Sequence, residues 1–136
     1  MLHHSFWAVV ALVGLYTTAA AQQRQPFSGT WNGRSTLGAN DSVLIIFVLT
    51  IAPDGKSATM KVANKNLIPI RVLAVGGDSM VTEAGPYRSI VRPWESVKSL
   101  RTTAHLKGDT LKGITEVRYE SGELVKARTE ATRVVK

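Results

Sequence analysis

Cysteine is absent from the 136 residues of this chain, and histidine occurs only three times. Without cysteine there is no disulfide framework and no thiolate ligand for a metal. His3 and His4 stand at the start of the chain, which leaves His105 alone in the remainder. A metal site built from protein side chains commonly needs three or four ligands. The sequence therefore predicts no metal centre, and nothing in it points to a cofactor.

Catalytic signatures are also missing. No nucleophile-elbow motif accompanies His105 to make it the base of a Ser-His-Asp triad, and we interpret it as a surface histidine. The sequence has no GxGxxG or Walker phosphate loop. Glu83 and Glu95 are one candidate carboxylate pair for glycoside hydrolysis, but two solvated loop acids are the favoured interpretation. The sequence assigns no catalytic residue and favours a protein that is not an enzyme.

Runs of like charge are absent too, although the chain carries a formal net charge of +7. Its 17 lysines and arginines are spread singly from Arg24 to Lys136, with carboxylates between them. Proteins that bind nucleic acid or acidic surfaces through a charged tail usually show a block of basic residues. We therefore predict a solvated basic surface and no nucleic-acid partner.

An apolar leader begins the chain. Residues 1–21 contain no charged side chain and are centred on FWAVVALVGLY, a length typical of a signal peptide and short of the ~20 residues that span a membrane. Ala19, Ala20 and Ala21 supply the small residues of a cleavage site. An uncleaved anchor is the alternative. We predict a signal peptide at 1–21, one domain at 22–136, and a secreted or periplasmic protein with no membrane contact after cleavage.

Apolar and polar residues alternate through most of the chain after Pro26, as in SATMKVA, where Ala58, Met60 and Val62 share one face. The turns between these segments are too short for parallel crossovers, and closing the resulting meander removes both exposed edges. Strands are predicted at 28–36, 42–52, 57–63, 67–75, 79–84, 97–106, 110–119 and 123–134. The sequence predicts an all-β fold, a single antiparallel up-and-down β-barrel of about eight strands.

Small residues dominate the predicted inner face of the last three strands. They are Ala104, Gly113, Thr115, Ala127, Thr129 and Ala131. An eight-stranded barrel has room for packed side chains or for one small ligand. Either aromatic rings from other strands or a ligand would occupy the space beside these residues. Thr115 and Thr129 are the candidate ligand contacts among them.

A polar and aromatic connection, GPYRSIVRPWES at 85–96, interrupts the meander. It brings together Tyr87, Arg88, Arg92 and Trp94. Arginine and aromatic side chains suit an anionic or ring-bearing ligand, through bidentate hydrogen bonds and stacking. The favoured alternative is a lid whose rings close one end of the barrel.

The run VLIIFVLTI at 43–51 is apolar on both faces, unlike a barrel strand with one face in water. Exposed apolar patches usually mark interfaces, so this strand is a candidate surface for a homo-oligomer or another protein. The alternative is that the N-terminal segment or the long connection covers it within the same molecule.

Gly29, Thr30 and Trp31 resemble the Gly-x-Trp motif on the first strand of lipocalins and related calycin barrels, and SGTW is also similar to the start of avidin-type barrels. In those families the tryptophan packs at the closed end, beneath an arginine of the last strand. The matching residue is Arg133. Segments such as HLKGDTLKG also resemble small secreted bacterial proteins with no assigned activity. The second lipocalin motif and the tryptophan-lined biotin site of avidins have no counterpart.

These patterns favour a lipocalin-like barrel that encloses a small, partly apolar molecule, gated by Tyr87 and Trp94. The rival is a protein-interaction or inhibitor-like module that uses strand 43–51 and the basic surface. Ligand pockets typically measure roughly 300–1,000 Å³, so an interior below about 100 Å³ would exclude the first function.

Overall fold

In the computed structural model of the chain, the described residues are 26–37, 43–63 and 67–135. The predicted leader and its cleavage site lie outside them. The described residues form nine strands: β1 (Gly29–Leu37), β2 (Val43–Ile51), β3 (Ser57–Val62), β4 (Ile68–Gly76), β5 (Ser79–Ala84), β6 (Tyr87–Arg88), β7 (Ser96–Lys107), β8 (Thr110–Tyr119) and β9 (Leu124–Arg133). No helix among the described residues is long and apolar enough to cross a membrane.

The strands form one closed antiparallel barrel. Each long strand pairs with the next along the chain, β5 pairs with β7, and β1 pairs with β9 to close the ring. The two-residue strand β6 pairs with the start of β7. The predicted all-β, eight-stranded, up-and-down barrel is confirmed.

Alternation along each strand determines which side chains face inward. In β8, Leu111, Thr115 and Val117 are buried, whereas Lys112 and Glu116 are exposed. This two-residue period is expected for strands with one face in water and one in the barrel interior.

The two ends of the barrel contain different clusters. At one end, which we call the Trp31 end, Phe27, Trp31 and Ile51 are almost completely buried in the larger core cluster. At the other, the loop end, Val97, Val117 and Tyr119 form a smaller cluster. The connection at 85–95 between β5 and β7 lies at the loop end, because β6 pairs with Val97 and Ser96 at the start of β7.

Close contacts across the sheet require glycine at two positions. A Cβ atom on Gly33 would lie 2.2 Å from the ring of Phe47, its cross-strand partner. One on Gly113 would lie 1.9 Å from the carbonyl oxygen of Thr103. The Phe47 ring therefore occupies interior space that a side chain at position 33 would otherwise fill.

The apolar strand β2 has one buried face and one exposed face. Phe47 and Ile51 point into the barrel, whereas Leu44, Ile46 and Val48 are 38–59% exposed. The connection at 85–95 leaves these three side chains uncovered. The N-terminal segment that we considered as a cover lies outside the described residues.

Candidate functional site

A cavity of about 110 Å³ lies inside the barrel, lined by side chains from all nine strands. Its walls are mainly aliphatic and aromatic, and none of the described residues that line it is Asp, Glu, Lys, Arg or His. Because burying an isolated charge is very costly, such walls suit a neutral occupant.

The volume limits the occupant to a very small molecule or group. Ordinary ligand pockets are roughly 300–1,000 Å³, and an apolar cavity of about 150 Å³ can hold benzene. The cavity of about 110 Å³ is smaller than both and slightly larger than the roughly 100 Å³ below which ligand binding would be excluded.

Four hydroxyl groups form a continuous line on the cavity wall. Ser35 Oγ lies 2.7 Å from Thr129 Oγ1, Thr129 Oγ1 lies 2.7 Å from Thr115 Oγ1, and Thr115 Oγ1 lies 2.8 Å from Thr102 Oγ1. We call this line the hydroxyl chain. It places hydrogen-bonding groups from β1, β9, β8 and β7 in an otherwise apolar interior.

Strand register explains the hydroxyl chain. Ser35 is directly opposite Thr129, and Thr102 is directly opposite Thr115. Thr115 reaches Thr129 diagonally, because their direct partners are the small residues Ala127 and Gly113. Diagonal neighbours in an antiparallel pair lie within reach of each other's side chains.

Thr82 on β5 extends this polar line to a fifth strand. It is buried, lines the cavity and is directly opposite Thr102. Its hydroxyl makes no hydrogen bond to another described residue. In the described part of the chain, every fully buried side-chain polar atom has a hydrogen-bond partner. Because the Thr82 hydroxyl has none, it is not fully buried, and we interpret it as open to the cavity that Thr82 lines.

Two phenol side chains, Tyr87 and Tyr119, line the cavity at the loop end. Neither hydroxyl bonds to another described residue. Burial, together with the neighbouring phenol of Tyr119, raises the pKa of Tyr87 well above its usual range. Tyr87 is therefore neutral at physiological pH and offers the cavity a hydroxyl group.

Arg92 holds the connection against the loop end. Its guanidinium carbon lies 4.4 Å from the centroid of the Tyr119 ring, and its nitrogens donate to Glu123 at 2.9 and 3.0 Å and to Glu95 at 3.3 Å. The hydrogen bonds that Arg92 donates to the Glu123 carboxylate raise the pKa of Arg92 and lower the pKa of Glu123. We call these four residues the Arg92 cluster.

The Trp31 end is sealed by a second arginine. The guanidinium carbon of Arg133 lies 4.3 Å from the Trp31 ring centroid, and its nitrogens donate to the carbonyl oxygens of Ser28 at 2.6 Å and Pro26 at 2.7 Å. Trp31 Nε1 donates to the carbonyl oxygen of Phe27 at 3.0 Å. Gly29 has a φ of 120°, and a Cβ there would meet Arg133 at 3.3 Å.

The structure separates the predicted ligand-binding residues into two groups. Tyr87, Thr115 and Thr129 line the cavity. Arg88, Arg92 and Trp94 do not: Arg88 donates to the carbonyl oxygen of Pro93, Arg92 belongs to its own cluster, and the Trp94 side chain is 76% exposed. The cationic part of the predicted site therefore lies on the outside of the connection.

Other candidate polar groups lie away from the cavity. His105 is exposed, with Nδ1 4.0 Å from Asp78. Glu83 pairs with Arg71, and Glu95 pairs with Arg92. The two carboxylates thus have separate partners.

Sequence reasoning missed Ser35, Thr82, Thr102 and Tyr119 as cavity residues. Alternation placed Thr102 on the same inward face as Leu100 and Ala104. A threonine among apolar inward residues was therefore the one sequence feature that could have marked Thr102 as a cavity residue. Strand register, which brings it opposite Thr115, was needed to connect it with the others.

No protein family, curated protein or solved structure matches this chain. The closed eight-stranded antiparallel barrel is consistent with a calycin-like fold.

Proposed function

We propose that this barrel binds a small, neutral, partly apolar molecule in its interior. The observation that carries the proposal is the uncharged cavity, whose apolar walls are crossed by the hydroxyl chain. Removing apolar surface from water would supply the binding free energy, at roughly 25 cal/mol per Å². A few polar groups would fix the orientation of the molecule, as in other ligand cavities.

Entry takes place at the loop end in this proposal. Phe27 and Trp31 fill the opposite end, where Arg133 ties them to the main chain. At the loop end, Ile90 and Val91 of the connection face the cavity. Tyr87 would contact the ligand, and Trp94, which projects into solvent, would not.

The leader, with its small-residue cleavage pattern, supports a secreted or periplasmic location. The Gly-x-Trp motif and Arg133 support a lipocalin-like or avidin-like relationship. Both are parts of the proposal.

Solution NMR of the chain with 1-butanol, butanone and n-pentane tests the proposal. Binding of any of these probes should shift the methyl resonances of Ala104 and Ala127, which line the cavity. Ala127→Leu should abolish the shifts, because the larger side chain fills the space, at a cost of about 1–3 kcal/mol in stability.

The matched control is Ala74→Leu on the exposed face of β4, which should bind as the wild type does. Absence of wild-type binding to all three probes would contradict the proposal. Native mass spectrometry of protein purified from its own host would identify a retained ligand.

A second candidate function is self-association through the outer face of β2. The favouring observation is the exposed row of Leu44, Ile46 and Val48. Arg34 lies directly opposite Ile46, and Lys61 lies directly opposite Val48. Two copies in contact here would bring like charges together, so salt should strengthen the association by screening them.

Sedimentation velocity at low and high salt tests this candidate. The wild type should associate more strongly at high salt, whereas Ile46→Lys should stay monomeric. Thr103→Lys, on the exposed face of β7, is the control for added charge. A wild-type chain that is monomeric at both salt concentrations would exclude this function.

A further inference from the structure

The hydroxyl chain has one hydrogen atom more than it uses. Its four hydroxyls make three hydrogen bonds, and in each bond either oxygen can be the donor. If the bonds point from Ser35 towards Thr102, Thr102 keeps a free proton. If they point the other way, Thr102 donates to Thr115 and can accept a bond from elsewhere. Thr102 can therefore act as donor or acceptor towards the cavity.

Thr82 faces this end of the chain. Directly opposite residues in an antiparallel pair have Cβ atoms about 4.5–5.5 Å apart. Thr82 and Thr102 are such a pair, both line the cavity, and the Thr82 hydroxyl makes no hydrogen bond to another described residue. An oxygen atom placed between them would bridge an unpartnered hydroxyl and the terminal hydroxyl of the chain.

The surroundings of this pair are apolar on both sides. The next inward pairs are Met80 with Ala104, towards the Trp31 end, and Ala84 with Leu100, towards the loop end. All four are buried or half-buried in the larger core cluster. A molecule bound here would meet hydroxyls at one point and carbon atoms elsewhere.

We infer that the cavity selects a short neutral molecule with one hydroxyl or carbonyl oxygen, which hydrogen-bonds to Thr82 and Thr102. This inference rests on the proposed function and names its ligand class. A carboxylate or amine is excluded because no charged side chain among the described residues lines the cavity to compensate it. Because the hydroxyl chain can point either way, alcohols and ketones of one size bind alike.

The same NMR titration tests the inference through relative affinities. The probes are 1-butanol, butanone, n-pentane and butyrate at neutral pH. The wild type should bind 1-butanol and butanone with similar Kd values, n-pentane about tenfold more weakly, and butyrate not at all.

Thr82→Val and Thr102→Val are the test variants, since valine keeps the branched shape and removes the hydroxyl. Each should reduce the preference for 1-butanol over n-pentane, and the double variant should abolish it while n-pentane still binds. Thr82→Val should also fold at least as stably as the wild type, because it removes a hydroxyl that lacks a protein partner. Thr103→Val, on the outer face of β7, is the matched control and should retain the preference.

Two outcomes overturn the inference and leave the proposed function intact. One is equal affinity of the wild type for n-pentane and 1-butanol, as expected if only water bridges the two threonines. The other is an unchanged preference in the double variant. If none of the probes binds to the wild type, the proposed function fails together with the inference.

Discussion

Both ends of the barrel place an arginine over an aromatic ring, but the arginines are held differently. At the Trp31 end, Arg133 lies 4.3 Å from the ring centroid of Trp31, and it donates to two carbonyl oxygens of the main chain and, at 3.2 Å, to the carboxylate of Asp109. At the loop end, Arg92 lies 4.4 Å from the ring of Tyr119 and donates to carboxylates. The contact at the Trp31 end thus has two fixed main-chain acceptors beside one exposed carboxylate, whereas the contact at the loop end has carboxylate acceptors alone.

This difference suits the two ends to different tasks. Main-chain carbonyl oxygens are part of the strands and turns and do not ionise, so two of the three Arg133 hydrogen bonds do not depend on a charged partner. Glu123 lies on an exposed turn, and its hold on Arg92 depends on its charge. In the proposed function, the loop end is therefore the end at which the ligand enters.

The largest effect is expected from the buried ring at the sealed end. Trp31→Ala removes a side chain with no solvent exposure from the larger cluster. Such truncations cost about 3–5 kcal/mol, so the variant should be largely unfolded in urea concentrations that the wild type tolerates. Trp94→Ala, which removes an exposed ring, is the control and should leave the urea midpoint unchanged. Full stability with loss of ligand binding alone would contradict the sealing role of Trp31.

Truncation of Arg133 at the Trp31 end should destabilise the fold more than truncation of Arg92 at the loop end. Arg133→Ala removes a stacked cation and its main-chain hydrogen bonds, for a loss of about 2 kcal/mol in unfolding free energy. Arg92→Ala removes contacts to exposed carboxylates, and we expect a smaller loss. Urea denaturation of both variants measures the difference. A greater loss for Arg92→Ala would reverse the comparison between the two ends.

Alkaline pH should weaken the loop end through Tyr87. Burial raises its pKa, so unfolded chains lose this proton at a lower pH than folded ones. The unfolding free energy should therefore fall as pH rises above about 10, the ordinary value for tyrosine. Tyr87→Phe removes the ionisable group and should make the decline shallower. Urea denaturation at a series of pH values measures the decline for both proteins. Identical declines in unfolding free energy for the wild type and Tyr87→Phe would rule out this contribution.

Acidic pH should produce the smallest effect, confined to the Arg92 cluster. Because its pKa is lowered, Glu123 stabilises the fold above its ordinary pKa of about 4.3, and this contribution disappears as pH falls through the folded value. Amide hydrogen exchange in the connection at 85–95 should accelerate over that range, after correction for the intrinsic pH dependence. Glu123→Gln should show faster exchange already at neutral pH. An equal acceleration of amide exchange at the Trp31 end would contradict this prediction and point to a more general acid response.

The fold was predictable from sequence because alternation and turns are local signals. Each predicted boundary of the eight long strands lies within one residue of the observed one. The inward direction of Thr115 and Thr129 followed from the same period. An antiparallel meander leaves few other arrangements, since sequential strands pair and the last must meet the first.

The site was less predictable because it depends on register and side-chain direction. The small inward residues correctly indicated space, but only the structure shows that the Phe47 ring fills part of it beside Gly33. The arginines of the connection suggested an anionic ligand from their composition. In the structure, Arg88 instead binds the carbonyl oxygen of Pro93, and Arg92 binds Glu123. The conformations of the turns bring these partners together, and the alternation of apolar and polar residues does not predict turn conformations.

Arg133 also brings the two ends of the described chain together. It binds the carbonyl oxygen of Pro26, and the next residue, Val134, donates its amide to Thr30. A fusion partner or surface tether attached before Pro26 or after Val135 would therefore leave from the Trp31 end and point the loop end away from the attachment. The chain is also suited to circular permutation, with a short linker between these neighbouring ends and a new start in an exposed turn such as the one at Gly122.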